Sequence, residues 1–189
     1  MKIAVSGSAG IGKSSLAQVL ATELGVAYIP ENYEPLFSQP GGLNNTAGIL
    51  APLFHEVLDR KQSEQEKHGS FILDRTPADL LNLAMKTSLV RHEQYAATLY
   101  ERCRTETACF DLIIIPPWGV LPLQPSADAK GSQQRVVNRW IQLGNHAAIC
   151  GLIRMFVSEE RILFLSGTSG SEQHWLAITL QRLGKTGHL

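Results

Sequence analysis

Eight consecutive residues, Gly7-Ser8-Ala9-Gly10-Ile11-Gly12-Lys13-Ser14, constrain this chain more than any other stretch. They match the pattern G-x-x-x-x-G-K-[ST] in full. The stretch lies between a short apolar run at residues 2–6 and an amphipathic segment that starts at Ser14. Gly7, Gly10 and Gly12 let the backbone turn its N–H groups inward with no Cβ in the way. A helix beginning at the end of such a loop adds its positive dipole end. Lys13 offers a charge to terminal phosphates, and the Ser14 hydroxyl can ligate Mg²⁺. With average glycine usage near 7%, a chance match in a chain of this size is on the order of 1%. Gly7, Ser8, Ala9, Gly10, Ile11, Gly12, Lys13, Ser14 and Ser15 are therefore expected to cradle nucleotide phosphates.

Strand and helix patterns alternate along the rest of the chain. Leu16, Val19, Leu20 and Leu24 share one helical face, and Gly25 is a natural stop. Residues 26–30 read as a second strand, followed by a polar, Gly/Pro-rich loop through Gly42. Ile49, Leu50, Leu53, Val57 and Leu58 trace another amphipathic helix, expected to begin near Gly48 because Pro52 suits only a first turn. Residues 71–74 form a third apolar run. Thr76, Pro77 and Asp79 then supply a cap, a first helical residue and a capping-box acid. The helical pattern continues with interruptions to Phe110; residues 111–115 and 161–166 read as the fourth and fifth strands, and residues 172–183 as a last helix. Such alternation implies an α/β class with a parallel sheet covered on both faces.

Composition narrows the options for function. The chain has 189 residues, enough for one domain over 1–189 with a real core. Hydrophobic residues are 44% and charged residues 18%, which excludes a disordered or coiled-coil chain. Seventeen basic and seventeen acidic residues cancel, so no global basic field points to nucleic acid or to an anionic membrane. A small charged substrate remains open. The longest apolar runs, 112–123 and 147–157, are broken by prolines, Gly119 or Arg154, and both fall short of the ~20 residues of a membrane span. Cys103, Cys109 and Cys150 form no close pair and read as reduced thiols, so a cytoplasmic location is expected. The six histidines show no metal-binding spacing.

Asp74 ends the apolar run Phe71-Ile72-Leu73, which puts a carboxylate at the carboxyl end of a buried strand, where open α/β sheets keep their ligands. An acid there can hold Mg²⁺ directly or through water. A capping role for Asp74 is less suited, since Thr76 serves it better.

The phosphate loop, the strand ending in Pro30 and Glu31, and the strand ending in Asp74 and Arg75 with Thr76-Pro77-x-Asp79 behind it together resemble P-loop nucleoside-kinase-like proteins. These include deoxynucleoside kinases, ribosylnicotinamide kinases and related bacterial AAA-domain ATPase/kinase proteins. Only the phosphate loop is highly specific by itself. The resemblance implies a P-loop NTPase fold of three layers, α/β/α. Its five-stranded parallel sheet would run in the order 2-3-1-4-5, with a helical, arginine-bearing lid at approximately residues 117–143. It also implies ATP and Mg²⁺ as ligands and a small, nucleoside-like molecule as phosphoryl acceptor. Glu31 matches the acid that takes the acceptor's proton. The chain departs from the kinases after Glu31, where Asn32 and Tyr33 replace their frequent Glu-Pro; Glu34 and Pro35 restore it three residues on, so either glutamate can be the base.

Arg75 matches the arginine that orients acceptor and carboxylate, with a salt bridge at the strand end as the alternative. Arg135 and Arg139, four apart on one helix face, match lid arginines that close over the transferred phosphoryl group, with Lys130 as a weaker candidate. Trp118 either packs on a ligand ring or closes the core edge. The loop 167–171 either lies against the donor base or caps the last helix. Asn44, Asn45, Gly41 and Gly42 fall where an acceptor loop would run, or in an ordinary loop. The helices expected at 48–68 and 78–110 can supply a homodimer surface, by the same analogy. The runner-up function is an NTPase switch acting on a protein partner. The chain lacks the N/T-K-x-D motif of Ras-like GTPases.

Overall fold

Four consecutive apolar residues, Leu112-Ile113-Ile114-Ile115, leave a strand no face for water, so both faces must be covered. The computed structural model describes residues 1–122, 138–167 and 172–184 and shows how this is met. Strands β1 (Lys2–Val5), β2 (Ala27–Ile29), β3 (Phe71–Asp74), β4 (Leu112–Ile115) and β5 (Ile162–Phe164) form one parallel sheet in the order β2-β3-β1-β4-β5. This is the order that the resemblance implied.

Helices α1 (Lys13–Leu24), α2 (Glu34–Ser38), α3 (Ala47–Glu66), α4 (Pro77–Ala84), α5 (Glu93–Thr107), α6 (Arg139–Phe156) and α7 (Glu172–Arg182) complete the described chain, with 3₁₀ turns at Gly42–Asn44, Ser88–Arg91 and Glu159–Arg161. Alternate strand residues point to opposite faces. Ile3, Val5, Ile72 and Ile114 pack with Leu16, Leu20, Trp175 and Leu176 of α1 and α7. Ala4, Phe71, Leu73, Ile113 and Ile115 pack with Phe54 of α3, Leu80 of α4, Leu99 of α5 and Ile153 of α6. Two cores, one on each face, give the three layers. Burying a large apolar side chain contributes about 1.5–3 kcal/mol, so these two clusters dominate the favourable terms.

Several elements differ in detail from the sequence reading. The interrupted helix after Asp74 is three pieces: α4, a 3₁₀ turn and α5. Thr87 makes the break, since its hydroxyl donates to Ala84 O (2.8 Å) and accepts from Leu89 N (3.2 Å). Pro52 lies inside α3, beyond its first turn, although the helix starts within a residue of the expected place. Five residues of the loop expected between Pro30 and Gly42 form α2, with Pro35 in its first turn. Helix α6 meets the sequence reading only at its start, where a helical lid was expected; its remaining turns were not read as a helix. Asn138 caps it, accepting from Trp140 N (3.0 Å) and Ile141 N (3.2 Å), and the apolar run 147–157 is largely its last turns. The expected lid boundary at 143 falls within this helix. The cysteines are free thiols, with Cys103 buried. Among the described residues no helix is long and apolar enough to cross a membrane.

Strand register brings the site to one edge. Val5 pairs with Asp74 on one side and with Ile114 on the other, and Ile29 pairs with Leu73. The loops after β1, β2 and β3 therefore emerge side by side, and Glu31 arrives next to Asp74 and Arg75.

Candidate functional site

The glycine loop joins β1 to α1 and has the geometry its composition demands. Gly7, Gly10 and Gly12 have φ of 123°, 82° and 82°. A Cβ on Gly7 would lie 2.6 Å from Ile11 Cδ1, and one on Gly12 would lie 3.0 Å from Leu121 Cδ1. Gly12 is also the left-handed N-cap of α1, which begins at Lys13. Lys13 is buried and its Nζ donates to Ser8 O at 2.5 Å, folding across the loop. Burial first, and then the charge of Arg75, push its pKa down to about 7, against the pull of Asp79, Asp74 and Glu31. Ser14 Oγ donates to Asp74 Oδ2 at 2.6 Å. Tyr28 Oη reaches the same oxygen at 3.4 Å.

Arg75 turns the chain out of β3. Its N–H still bonds Val5 O (3.0 Å), as a ladder residue would, but its φ is 68°, a left-handed conformation that disfavours any side chain. Backbone strain of this kind persists where surrounding contacts over-determine it, and it clusters at functional sites. Here the contacts are plain. Arg75 Nε donates to Glu31 Oε2 at 2.5 Å, and its Nη1 lies 3.4 Å from Gly7 O and 3.5 Å from Asp79 Oδ1. The guanidinium also stands over the Tyr33 ring at 5.9 Å.

Asp79 is more than the helix cap its sequence position suggested. Its buried Oδ2 accepts from Ser6 Oγ (2.5 Å), Thr76 N (2.8 Å) and Thr76 Oγ1 (2.8 Å), and its Oδ1 accepts from Gly7 N (3.2 Å). One carboxylate thus ties the start of the glycine loop to the start of α4. Lys61, on the buried face of α3, closes the back of the site. Its Nζ donates to Asp74 O (2.9 Å) and Arg75 O (3.3 Å) and lies over Tyr33 at 5.4 Å. Burial pushes its pKa down to about 8, with Arg75 adding and Glu31 foremost among the opposing acids.

Two hollows flank the glycine loop. The larger, about 520 Å³, touches the loop at Ser8 and Ala9 and is lined further by Glu31, Arg75, Asn82 and Gln142. The smaller, about 360 Å³, touches it at Gly10 and Ile11 and is lined by Trp118, Leu121, Pro122 and Arg139. From α6, Gln142 Oε1 accepts from Ala9 N (3.2 Å) and His146 Nδ1 from Ser8 N (3.5 Å). Burial, then the charge of Lys13, lowers the His146 pKa, which favours the neutral ring this contact needs.

The structure brings together Lys13, Ser14, Glu31, Asp74 and Arg75 as read from sequence. Glu34 turns outward and pairs with Arg60 at 3.5 Å on the rim of the larger hollow. Arg139 lies away from Glu31, in the smaller hollow, 5.8 Å from the Trp118 ring and 5.1 Å from that of Trp140. Trp118 is half-buried beside the same hollow. Asn45 serves its own loop, donating to Pro40 O and Gly42 O. Lys130, Arg135 and residues 168–171 lie outside the described residues. Sequence reading missed Lys61, the anchoring role of Asp79, and the α6 pair. Lys61 carried a signal: it falls one turn beyond Val57 and Leu58 on an apolar face.

No protein-family model matches the sequence, and no curated protein sequence matches it. Solved structures do match by fold. A deoxyadenosine kinase from M. mycoides, with dCMP and a flexible dCDP bound, superposes with a TM-score of 0.66 at 15% identity, covering 97% of this chain and 99% of the other. NadR protein in complex with NR gives 0.66 at 16%, over 99% of this chain but 52% of NadR, so the chain spans about half of that protein. Shikimate kinase from Acinetobacter baumannii, with shikimate, gives 0.54 at 12%, over 98% and 94%. The chain therefore has the fold of P-loop nucleoside-kinase-like proteins, with an intact phosphate loop.

Proposed function

We propose that the protein moves the terminal phosphoryl group of Mg²⁺-ATP to a hydroxyl of a small, nucleoside-like molecule. The observation that carries this is the placement of the glycine loop as a shared wall between two hollows. A donor in the smaller hollow and an acceptor in the larger one would meet across Ser8 and Ala9. A phosphate-binding module without an acceptor has no need for the second hollow or for the carboxylate in it.

Three polar atoms support occupancy by charged ligands. Ser8 Oγ, Tyr33 Oη and Asp74 Oδ1 are buried without a partner among the described residues. Such atoms are rare, and at this place in the fold a ligand oxygen, an ion or a water can pair them. Asp74 Oδ1, beside the Ser14 hydroxyl, fits Mg²⁺, a hard cation that takes oxygen donors. When bound there, Mg²⁺ would neutralise charge on the phosphate oxygens.

The chain's own residues then have separate tasks. Lys13 exchanges its contact with Ser8 O for the phosphates, which are the better partner for an ammonium. Glu31 faces the larger hollow and accepts the proton of the attacking hydroxyl, with Arg75 holding the carboxylate in place. Phe37, Leu83 and Ile149 give the hollow apolar walls for a ring, and its volume suits a molecule of nucleoside size. Arg139 and Trp118 line the donor side, 5.8 Å apart.

The test is turnover of Mg²⁺-ATP with a mixed pool of nucleosides and related alcohols, reading products by mass. A new phosphorylated compound is the expected result. Only ADP and free phosphate, unchanged by every acceptor, would instead mark an NTPase switch.

A further inference from the structure

Asp79, Asn82, Leu83 and Lys86 all line the larger hollow, and their spacing is that of one helical stripe. Helix α4 carries the first three. Lys86 follows in the same turn, since its N–H still donates to Leu83 O at 3.1 Å. At a rise of 1.5 Å per residue, Lys86 stands about 10 Å along the stripe from Asp79. Arg75 meets Asp79 at the near end and holds Glu31 there. The stripe is thus as long as a nucleoside measured from its primary hydroxyl to the far edge of its base. A hydroxyl delivered to Glu31 leaves that edge at Asn82 and Lys86.

The two side chains at the far end differ in what they accept. Asn82 is only 6% exposed, yet its amide has no hydrogen-bond partner among the described residues. Buried polar groups in that state are rare, and this one borders the hollow. An amide offers both a donor and an acceptor, so Asn82 suits an oxo or an amino group equally. Lys86 does not. An ammonium has three donors and no acceptor. One donor goes to Asn145 Oδ1, and Lys86 has no ion pair among the described residues. The acids that line the hollow are engaged elsewhere: Glu31 with Arg75, Glu34 with Arg60, and Asp79 with Ser6, Gly7 and Thr76. The exocyclic group of a base projects furthest along the stripe. An oxo oxygen there accepts from Lys86, whereas an amino group sets donor against donor.

We infer that Lys86, with Asn82 beside it, determines specificity for the acceptor: it selects a ring whose far edge carries an oxo group and rejects one that carries an amino group. The inference rests on the phosphotransfer reading above and names the acceptor class within it.

The experiment compares kcat/KM for two matched pairs, uridine with cytidine and inosine with adenosine, using Mg²⁺-ATP and the full chain. The oxo member of each pair is expected to lead by about tenfold or more. Lys86→Met is expected to bring the ratio to within about twofold, chiefly by raising KM for the oxo member. Lys86→Arg, which also only donates, should keep most of the preference. Lys86 is exposed, so these replacements leave the core alone. An amino member used as well as its oxo partner, or a preference that survives Lys86→Met, would overturn the inference. Phosphorylation of other alcohols but of none of these four nucleosides would overturn it too, with the transfer reading left standing. ADP and free phosphate alone, whatever the acceptor, would overturn both.

Discussion

Replacing Asp79 by asparagine tests whether one buried carboxylate anchors the glycine loop. The substitution preserves shape but leaves a single acceptor oxygen. The amide does best by keeping that oxygen toward Ser6 Oγ, Thr76 N and Thr76 Oγ1, which are three donors at 2.5–2.8 Å. Its NH₂ then faces Gly7 N, 3.2 Å from the present Oδ1, and the Arg75 guanidinium at 3.5 Å. Both of those are donors. One hydrogen bond to a charged group is worth about 1.5–3 kcal/mol, and a buried donor left unpaired costs about 1–3 kcal/mol. The hydroxyls of Ser6 and Thr76 can rotate to recover part of this. A net loss of about 3 kcal/mol follows, a large fraction of the about 5–15 kcal/mol of a typical domain. Urea unfolding measures it from the midpoint at constant slope. Thr76→Ala is the control, since loss of a cap alone costs about 1 kcal/mol. ATP affinity should fall in the asparagine variant and hold in the control, because only the first frees Gly7. An asparagine variant within about 0.5 kcal/mol of wild type would refute the anchoring argument.

Other expected outcomes concern the buried charges. Lys13 and Lys61 have pKa values lowered from 10.5 to about 7 and about 8, so between those values and 10.5 the unfolded chain binds more protons than the folded one. The empty protein should therefore gain stability as pH rises from about 7 toward 10.5, and Lys13→Met should flatten part of the rise. A stability that falls across this window in urea titrations contradicts it. ATP binding near pH 8 should take up a proton at Lys13, and calorimetry in two buffers of different ionisation heat detects it. Glu31→Gln should leave ATP affinity nearly unchanged and slow transfer by ~10²–10⁴; near-normal transfer removes Glu31 as the base. Arg75→Gly and Arg75→Ala lose the same ion pairs, but glycine accepts a φ of 68°. The glycine variant should be the more stable by about 1 kcal/mol, and equal melting of the two would show that the position stores no strain.

What the sequence by itself determined is what contiguous residues encode. Gly7 to Ser14 carry their own loop, because backbone freedom at three glycines and the start of a helix are local properties. The apolar runs at β1, β3 and β4 likewise announce a sheet covered twice, and Thr76, Pro77 and Asp79 announce the start of α4. Tertiary structure alone decided which distant groups complete the site. Gln142 meets Ala9 across 133 positions and His146 meets Ser8 across 138, a pairing that depends on where α6 packs once β4 has entered beside β1. Helix α6 was itself hard to read, since Trp140 and Ile141 face outward while the polar Gln142 is buried. The second role of Asp79 was hidden for the same reason. Its cap is a pattern within residues 76–79, but its grip on Ser6 and Gly7 exists only because parallel pairing of β1 with β3 sets Val5 beside Asp74. Parallel strands are joined through long crossovers, so their neighbours are far apart in the chain. Chemistry that such neighbours share is written in the packing and not in any window of residues.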